Sequence, residues 1–186
     1  MVSLPFLDCE TFLRFWTEWV NINKYRLKFF MRGGSGGDND MVKVFLVEDE
    51  AIIRRGIRDH IDWNANGFEF VGEAGDGEYA YPLIMKTKPD ILVTDIKMPF
   101  MDGLQLSRLV KKALPATKII ILSGYNEFEY AKEAIKIGIN DYLLKPVTSA
   151  GLIEALRKAA DAILEEQEKS RLLERYFVSY EKYTEA

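Results

Sequence analysis

The 186-residue chain contains one cysteine, Cys9, and one histidine, His60. A single cysteine excludes an intrachain disulfide and a metal site built from several cysteines, which fits a reducing compartment. No apolar run approaches the roughly 18 residues that span a bilayer, and the first residues lack the basic start of a secretory signal. The net charge of −4 gives no reason to expect direct binding to nucleic acid. These absences predict a cytoplasmic protein without a membrane partner.

The composition of the chain changes at Met41. Residues 1–32 are rich in aromatic side chains, and residues 33–40 (GGSGGDND) have the composition of a flexible linker. Three interpretations of residues 1–40 stay open: an engineered fusion, a native helix that binds a partner, or a start codon assigned too early. In the third, Met41 is the native start, because residues 35–41 can be back-translated into a bacterial ribosome-binding sequence followed by ATG. We assign no function to residues 1–40.

From Met41 onward, short apolar runs alternate with segments whose apolar residues recur at helical spacing. This pattern predicts strands at 42–47, 68–71, 91–94, 118–122 and 140–144. It predicts helices at 51–61, 77–84, 102–114, 127–137 and from about Thr148 onward. Strict alternation favours an α/β fold, a doubly wound five-stranded parallel sheet with helices on both faces. Ligands of such folds bind beyond the carboxyl ends of the strands.

Polar side chains stand at the carboxyl ends of four predicted strands: Glu48 with Asp49, then Asp95, Ser123 and Lys145. Each one alone has an ordinary explanation as a helix N-terminal charge, a turn residue, a cap or a strand stop. Four independent strand ends would have to produce this set by chance. Since the carboxyl ends of parallel strands share one edge of a sheet, we interpret the five residues as one site.

The chemistry of this set points to phosphoryl transfer. Three carboxylates in one place repel one another, and a hard divalent cation with oxygen ligands relieves that repulsion. Mg²⁺ suits the site because it binds one or two carboxylates together with water and phosphate oxygens. Asp95 is then the nucleophile that forms an acyl phosphate, while Lys145 and Ser123 stabilise the phosphoryl oxygens. The sequence therefore predicts a magnesium-dependent aspartyl-phosphate site.

Residues 41–160 resemble the receiver domain of a bacterial two-component response regulator. The resemblance implies a flavodoxin-like sheet of order 2-1-3-4-5, phosphorylation by a partner sensor histidine kinase, and no enzymatic activity beyond magnesium-dependent self-phosphorylation and autodephosphorylation. Its implied site residues are the phosphoacceptor Asp95, the catalytic partners Ser123 and Lys145, the switch residues Ser123 and Tyr142, and the Mg²⁺ ligands Glu48, Asp49, Asp95 and the main-chain carbonyl of Lys97. A cis bond between Lys145 and Pro146 is also implied.

The implied mechanism is a population shift. Phosphorylation draws Ser123 toward the phosphoryl group and Tyr142 turns inward, which alters the face made by the fourth helix, the fifth strand and the fifth helix. That face, or the C-terminal helix, is the expected surface of a homodimer. Lys97 and Tyr125 occupy positions that tune the lifetime of the phosphoryl group in the family.

Several stretches narrow the resemblance to regulators with an AraC-type helix-turn-helix output: 54–57 (RRGI), 61–63 (IDW), 67–68 (GF) and 122–131 (LSGYNEFEYA). In those regulators the DNA-binding domain lies much further along the chain. We therefore expect a chain truncated before its output domain, with residues 161–186 as a helical linker toward it and with DNA contacts only through it. Ile153, Leu156, Ala160 and Ile163 are spaced as in a coiled coil, so a dimerisation helix and a helix packed on its own domain both stay open.

Other functions are weighed against this one. A stand-alone receiver or a phosphorelay protein that acts through protein contact is the alternative reading. A haloacid dehalogenase-like phosphatase is disfavoured because Lys97, and not an acid, lies two residues after Asp95. A receiver that signals without phosphate is disfavoured by the complete residue set. His60 lacks the flanking pattern of a phosphohistidine helix, and we interpret it as a surface residue at a helix end.

Overall fold

The structure is a computed structural model, and it describes residues 41–124 and 128–184. The expectations for residues 1–40 and for Tyr125 lie outside the described residues.

Across these described ranges, five parallel strands form one sheet in the order β2-β1-β3-β4-β5, which confirms the predicted topology. The strands are β1 (Val42–Val47), β2 (Phe68–Ala74), β3 (Ile91–Asp95), β4 (Lys118–Ser123) and β5 (Asp141–Leu144). The strand order reverses between β1 and β3, where Val47 lies beside Thr94. A crevice at the carboxyl ends of the strands is expected at such a reversal, so the topology itself places the candidate site.

In the part of the chain that the structure describes, five helices cover the sheet: α1 (Ala51–His60), α2 (Gly77–Thr87), α3 (Gly103–Ala113), α4 (Phe128–Ile137) and α5 (Ser149–Thr184). The carboxylates of Asp76 and Asp102 cap α2 and α3, each by accepting a hydrogen bond of 2.7 Å from a main-chain N–H of the first turn. Among the described residues, none of the helices has both the length and the apolar content that a membrane span requires.

The sheet separates two apolar clusters, because successive residues of a strand point to opposite faces. On β1, Val44 and Leu46 belong to the cluster under α5, whereas Phe45 and Val47 belong to the cluster under α2 and α3. Strands that are buried on both faces read as continuous apolar runs, which is why the sequence revealed them. The core therefore holds the strand ends rigidly on both sides.

The long helix α5 packs on its own domain through its first half. Leu156, Ala160 and Ile163 are buried against the sheet, and the half-buried Ile153 packs beside them. Beyond Leu164, the residues of the helix whose burial is described are exposed. The coiled-coil spacing of this stretch is thus used within the domain, as the second of the two open interpretations expected.

Candidate functional site

The carboxyl edge of the sheet brings together the residues that the sequence predicted. Glu48 directly follows β1, and its main-chain N–H donates a 3.1 Å hydrogen bond to the carbonyl of Ala74 at the end of β2. Asp95 is the last residue of β3 and pairs in register with Leu122 of β4. Ser123 is the last residue of β4, and its carbonyl accepts a 2.6 Å hydrogen bond from the main-chain N–H of Lys145.

The carboxylates of Glu48, Asp49 and Asp95 form one cluster. One oxygen from each lies within 4.8 Å of the others. Glu48 is fully buried and Asp95 is 6% exposed, while Asp49 is exposed. Burial raises the pKa of Glu48 and the pKa of Asp95 above their ordinary values, because removal from water disfavours a charged carboxylate. The concentration of negative charge at this site therefore costs free energy in the folded state.

Lys145 connects two members of this acidic cluster. Its Nζ lies 2.9 Å from Glu48 Oε2 and 3.0 Å from Asp95 Oδ2. Burial by itself would lower the pKa of Lys145, but its hydrogen bonds to the two carboxylates raise the pKa above its ordinary value. The ammonium thus stays charged between two acids. The bond between Lys145 and Pro146 is cis, as the resemblance implied.

The three carboxylates fit a hard divalent cation. They carry up to three negative charges, of which the Lys145 ammonium offsets one. Within the described ranges, Glu48 Oε2 is buried and makes no hydrogen bond of good geometry, although it lies close to Lys145. An all-oxygen donor set of this kind is what Mg²⁺ prefers. The residues present therefore suit the cation that the sequence analysis predicted.

Ser123 and Tyr142, the implied switch pair, are in direct contact. The hydroxyl of Tyr142 donates a 2.6 Å hydrogen bond to Ser123 Oγ. Ser123 is fully buried, and the half-buried Tyr142 packs against the apolar cluster under α2 and α3. The resemblance implied an inward position of Tyr142 after phosphorylation, and the contact with Ser123 places its hydroxyl at this edge of the sheet.

The sequence did not predict the contacts that two further residues make at this edge. A Cβ atom on Gly103 would lie 1.9 Å from the carbonyl oxygen of Asp95, so α3 can begin against the end of β3 only with glycine at this position. Arg54 of α1 reaches back to the main chain of the acidic residues after β1. The dipeptide Asp102-Gly103 signalled a helix start, but contacts between distant segments leave no local pattern.

Two further predictions concern single residues. Lys97 lies in the loop directly after β3, and its proposed roles stay predictions. His60 is the exposed last residue of α1, and its Nδ1 lies 2.8 Å from the carbonyl oxygen of Gly56. Its position confirms the interpretation of His60 as a surface residue at a helix end.

Comparisons with known proteins agree on the family that this chain resembles. A model of the response regulator receiver domain matches residues 44–157. The chain is 44% identical over 118 residues to the uncharacterized transcriptional regulatory protein YesN of Bacillus subtilis, a match that covers 63% of this chain and 32% of YesN. It is 39% identical over 130 residues to the transcriptional regulatory protein HptR of Staphylococcus aureus, covering 70% of this chain and 51% of HptR. The chain thus spans about a third to a half of the length of these relatives.

Solved structures show the same fold. The REC domain of AraT, a response regulator from Geobacillus stearothermophilus, is 44% identical with a TM-score of 0.59, and the match covers 70% of this chain and 99% of that one. A two-component transcriptional regulator AraC from Clostridium phytofermentans is 31% identical with a TM-score of 0.61, covering 69% and 98% of the two chains.

Proposed function

The chain belongs to the response regulator receiver family, whose domains are phosphorylated by a kinase in two-component signalling, and we propose that Asp95 accepts the phosphoryl group here. The observation that carries this proposal is the convergence of three carboxylates and one ammonium at the carboxyl edge. Asp95 is the member of the cluster that touches Lys145 and also borders the strand that ends in Ser123. The Lys145 ammonium therefore lies against this carboxylate, and the neighbouring strand ends one residue further on, at Ser123.

We propose that Glu48, Asp49 and Asp95 hold Mg²⁺, with the main-chain carbonyl of Lys97 as a further ligand. When bound, the cation neutralises charge on the transferring phosphoryl oxygens. Lys145 supplies a second positive charge, from an ammonium that contacts both Glu48 and Asp95. The ion pair between Lys145 and Asp95 keeps that ammonium within reach of a group attached to the carboxylate.

In the proposed transfer, a carboxylate oxygen of Asp95 forms a new bond to phosphorus while the phosphorus–nitrogen bond of the kinase phosphohistidine breaks. The imidazole leaves with the bonding electron pair and takes up a proton. The hydroxyl of Ser123 then donates to one phosphoryl oxygen, and Lys145 contacts another. Apart from this magnesium-dependent self-phosphorylation and the later hydrolysis of the acyl phosphate, we propose no enzymatic turnover.

The proposed signal is a shift between two arrangements of Ser123 and Tyr142. A phosphoryl group adds about −1.5 to −2 charges at Asp95, and it competes for the Ser123 hydroxyl that now accepts a hydrogen bond from Tyr142. A change in that hydrogen bond alters the face formed by α4, β5 and α5. Only a differential affinity of the phosphoryl group for the two arrangements can drive such a shift. This face, or the exposed part of α5 beyond Leu164, is our proposed surface for a homodimer.

The proposed output is transcription, controlled in the cytoplasm through an AraC-type DNA-binding domain of the full regulator. The names of the curated relatives support it, because they are transcriptional regulatory proteins of which this chain spans only a part. Sequencing of the gene beyond the codon for Ala186 tests this proposal. A reading frame that stops there would favour the alternative of a stand-alone receiver.

The test of the phosphoacceptor is the intact mass of the protein after incubation with a small-molecule phosphodonor, with and without Mg²⁺. We expect one added phosphoryl group that requires both the cation and Asp95. The variant Asp95→Asn should gain none, whereas the matched control Asp90→Asn at the opposite end of β3 should react as the wild type does. Labelling of Asp95→Asn at the wild-type rate would refute the assignment.

A further inference from the structure

Arg54 lies behind the acidic cluster and binds its main chain. It is the fourth residue of α1, and its side chain is 19% exposed. The guanidinium Nη1 donates a hydrogen bond of 2.5 Å to the carbonyl of Glu48 and lies 3.4 Å from the carbonyl oxygen of Asp49. One side chain therefore contacts the main chain of both Glu48 and Asp49.

The position of Arg54 is itself fixed from β2. Its Nε lies 3.5 Å from Glu73 Oε1, and Arg58, one turn further along α1, donates a 3.1 Å hydrogen bond to the same oxygen. A Cβ atom on Gly75 would lie 3.3 Å from Arg54 Nη1, so the glycine leaves room for the guanidinium. Contacts with β2 and with the loop after β1 thus hold one planar group.

This arrangement matters because Glu48 and Asp49 leave the sheet at the end of β1. Their carboxylates are aligned only if the main chain after Val47 keeps one conformation. Two side chains that must meet one small cation lose affinity when their backbone moves, since Mg²⁺ demands near-ideal octahedral geometry. Residues behind the direct ligands commonly set metal affinity through such orientation.

The charge of Arg54 acts in the opposite direction. A guanidinium near three carboxylates lowers the local negative potential and so weakens the attraction for a divalent cation. Loss of Arg54 would therefore tighten cation binding if charge dominated, and it would weaken binding if orientation dominated. The direct hydrogen bonds to the carbonyls make orientation the larger effect, because the charge of Arg54 is already offset in part by the carboxylate of Glu73, whose Oε1 lies 3.5 Å from its Nε.

We propose that Arg54 is a positioning residue for the cation site: through the carbonyls of Glu48 and Asp49 it fixes the acidic loop that binds Mg²⁺. The inference rests on the proposed function, in which these acids hold the cation. Arg54 touches neither the phosphoryl group nor the cation in this account, and its effect passes through the backbone.

The test is the Mg²⁺ dissociation constant of the full chain, measured by isothermal titration calorimetry at neutral pH and at two salt concentrations. The variant Arg54→Met should raise the dissociation constant about tenfold. Arg54→Lys should also raise it, since an ammonium keeps the charge but cannot replace the fork that spans Glu73 and the Glu48 carbonyl. The matched control is Arg55→Met, which removes the same charge from an exposed residue whose Nε donates a hydrogen bond to the carbonyl of Ala51 in its own helix.

The possible outcomes distinguish an effect of Arg54 on the orientation of the acidic loop from an effect of its charge. They also distinguish failure of this inference from failure of the proposed function. An increase that persists at high salt and is absent in Arg55→Met supports positioning. The inference is overturned if the Mg²⁺ dissociation constant of Arg54→Met is equal to or lower than that of Arg55→Met. In that case the proposed function still stands, provided that the wild-type protein binds Mg²⁺. Wild type that binds no Mg²⁺ overturns both. If Arg54→Met fails to fold by circular dichroism, Glu73→Gln carries the same test, with a smaller increase expected.

Discussion

The amino and carboxyl ends of the sheet both contain buried charged side chains, but the two ends balance them differently. At the amino end, Asp90 Oδ2 accepts a 2.8 Å hydrogen bond from the main-chain N–H of Lys43, and the ammonium of Lys118 lies 2.5 Å from Glu166 of α5. At the carboxyl end, three carboxylates share the ammonium of Lys145. The first end is balanced within the fold, whereas the second has an excess of negative charge.

This difference separates a structural role from a functional one. When a buried charge has its partner within the fold, removal of either partner affects stability. An excess of like charge lowers stability unless a ligand of opposite charge binds. Substitutions at the carboxyl end should therefore change Mg²⁺ binding and phosphorylation. Substitutions at the amino end should change only the stability of the fold.

The largest effect is expected for Lys145→Met, which removes the ammonium between Glu48 and Asp95. The phosphorylation rate with a small-molecule donor should fall about 100-fold or more, as is common when one charged donor to a transition state is lost. The control Lys158→Met removes an exposed lysine of α5 that pairs with Glu154, and it should keep the wild-type rate. Equal rates for the two variants would contradict a role of Lys145 in the transfer.

The second largest effect is the stabilisation of the folded protein by Mg²⁺, which is measured by thermal unfolding. A ligand at 100 times its dissociation constant stabilises the folded state by about 2.7 kcal/mol, so the cation should raise the melting temperature of the wild type. Asp49→Asn should lose most of this increase, since Asp49 belongs to the acidic cluster. Asp90→Asn, at the amino end, should keep it. Loss of the Mg²⁺ effect in Asp90→Asn would break the distinction between the two ends.

A smaller effect is expected at the contact between α5 and the amino end of the sheet. Lys118 is 4% exposed and Glu166 is 64% exposed, so Glu166→Gln weakens the partner of a buried ammonium. Because water can partly replace an exposed carboxylate, we expect a loss of about 1 kcal/mol in the free energy of unfolding. Glu168→Gln, at an exposed position two residues further along, is the control and should change little. Phosphorylation rates of both variants should match the wild type.

The smallest effect is a pH dependence from Asp90. Burial raises the pKa of Asp90 above its ordinary value of 3.8, so the folded protein binds a proton more readily than the unfolded chain does. Stability from this group therefore falls as the pH rises from about 3.8 through the raised pKa, and it is constant above that range. Asp90→Asn keeps an oxygen for the Lys43 N–H and removes the titration. We define the difference as the free energy of unfolding of the wild type minus that of Asp90→Asn, both measured with urea. This difference should decrease as the pH rises, and an increase would contradict the expected sign.

Much of this comparison was predictable from the sequence. The apolar run at 42–47 became β1 with the same bounds, and the strands that follow it in the core were equally clear, because burial on both faces leaves an unbroken apolar signal. The site residues were predictable because each one ends such a run. The order of the strands came from the family resemblance and agrees with the structure.

The remaining features depend on contacts between distant segments. Strand β2 extends three residues beyond the predicted Val71, past a register irregularity at which Gly72 makes room for the ring of Phe45. Helix α2 continues to Thr87, and it ends at Lys88 in a left-handed conformation, where glycine is the usual signal. The roles of Arg54 and Gly103 were missed for the same reason, since neither contact has a periodic pattern.

The central claim is that the carboxyl end of the sheet is a phosphoacceptor site with Asp95 as its nucleophile. Its most direct test is to locate the phosphoryl group by tandem mass spectrometry on peptides of the protein phosphorylated in the presence of Mg²⁺. We predict the modification at Asp95 and unmodified Glu48, Asp49 and Asp102. A phosphoryl group on any of those three acids, with Asp95 unmodified, would contradict the account.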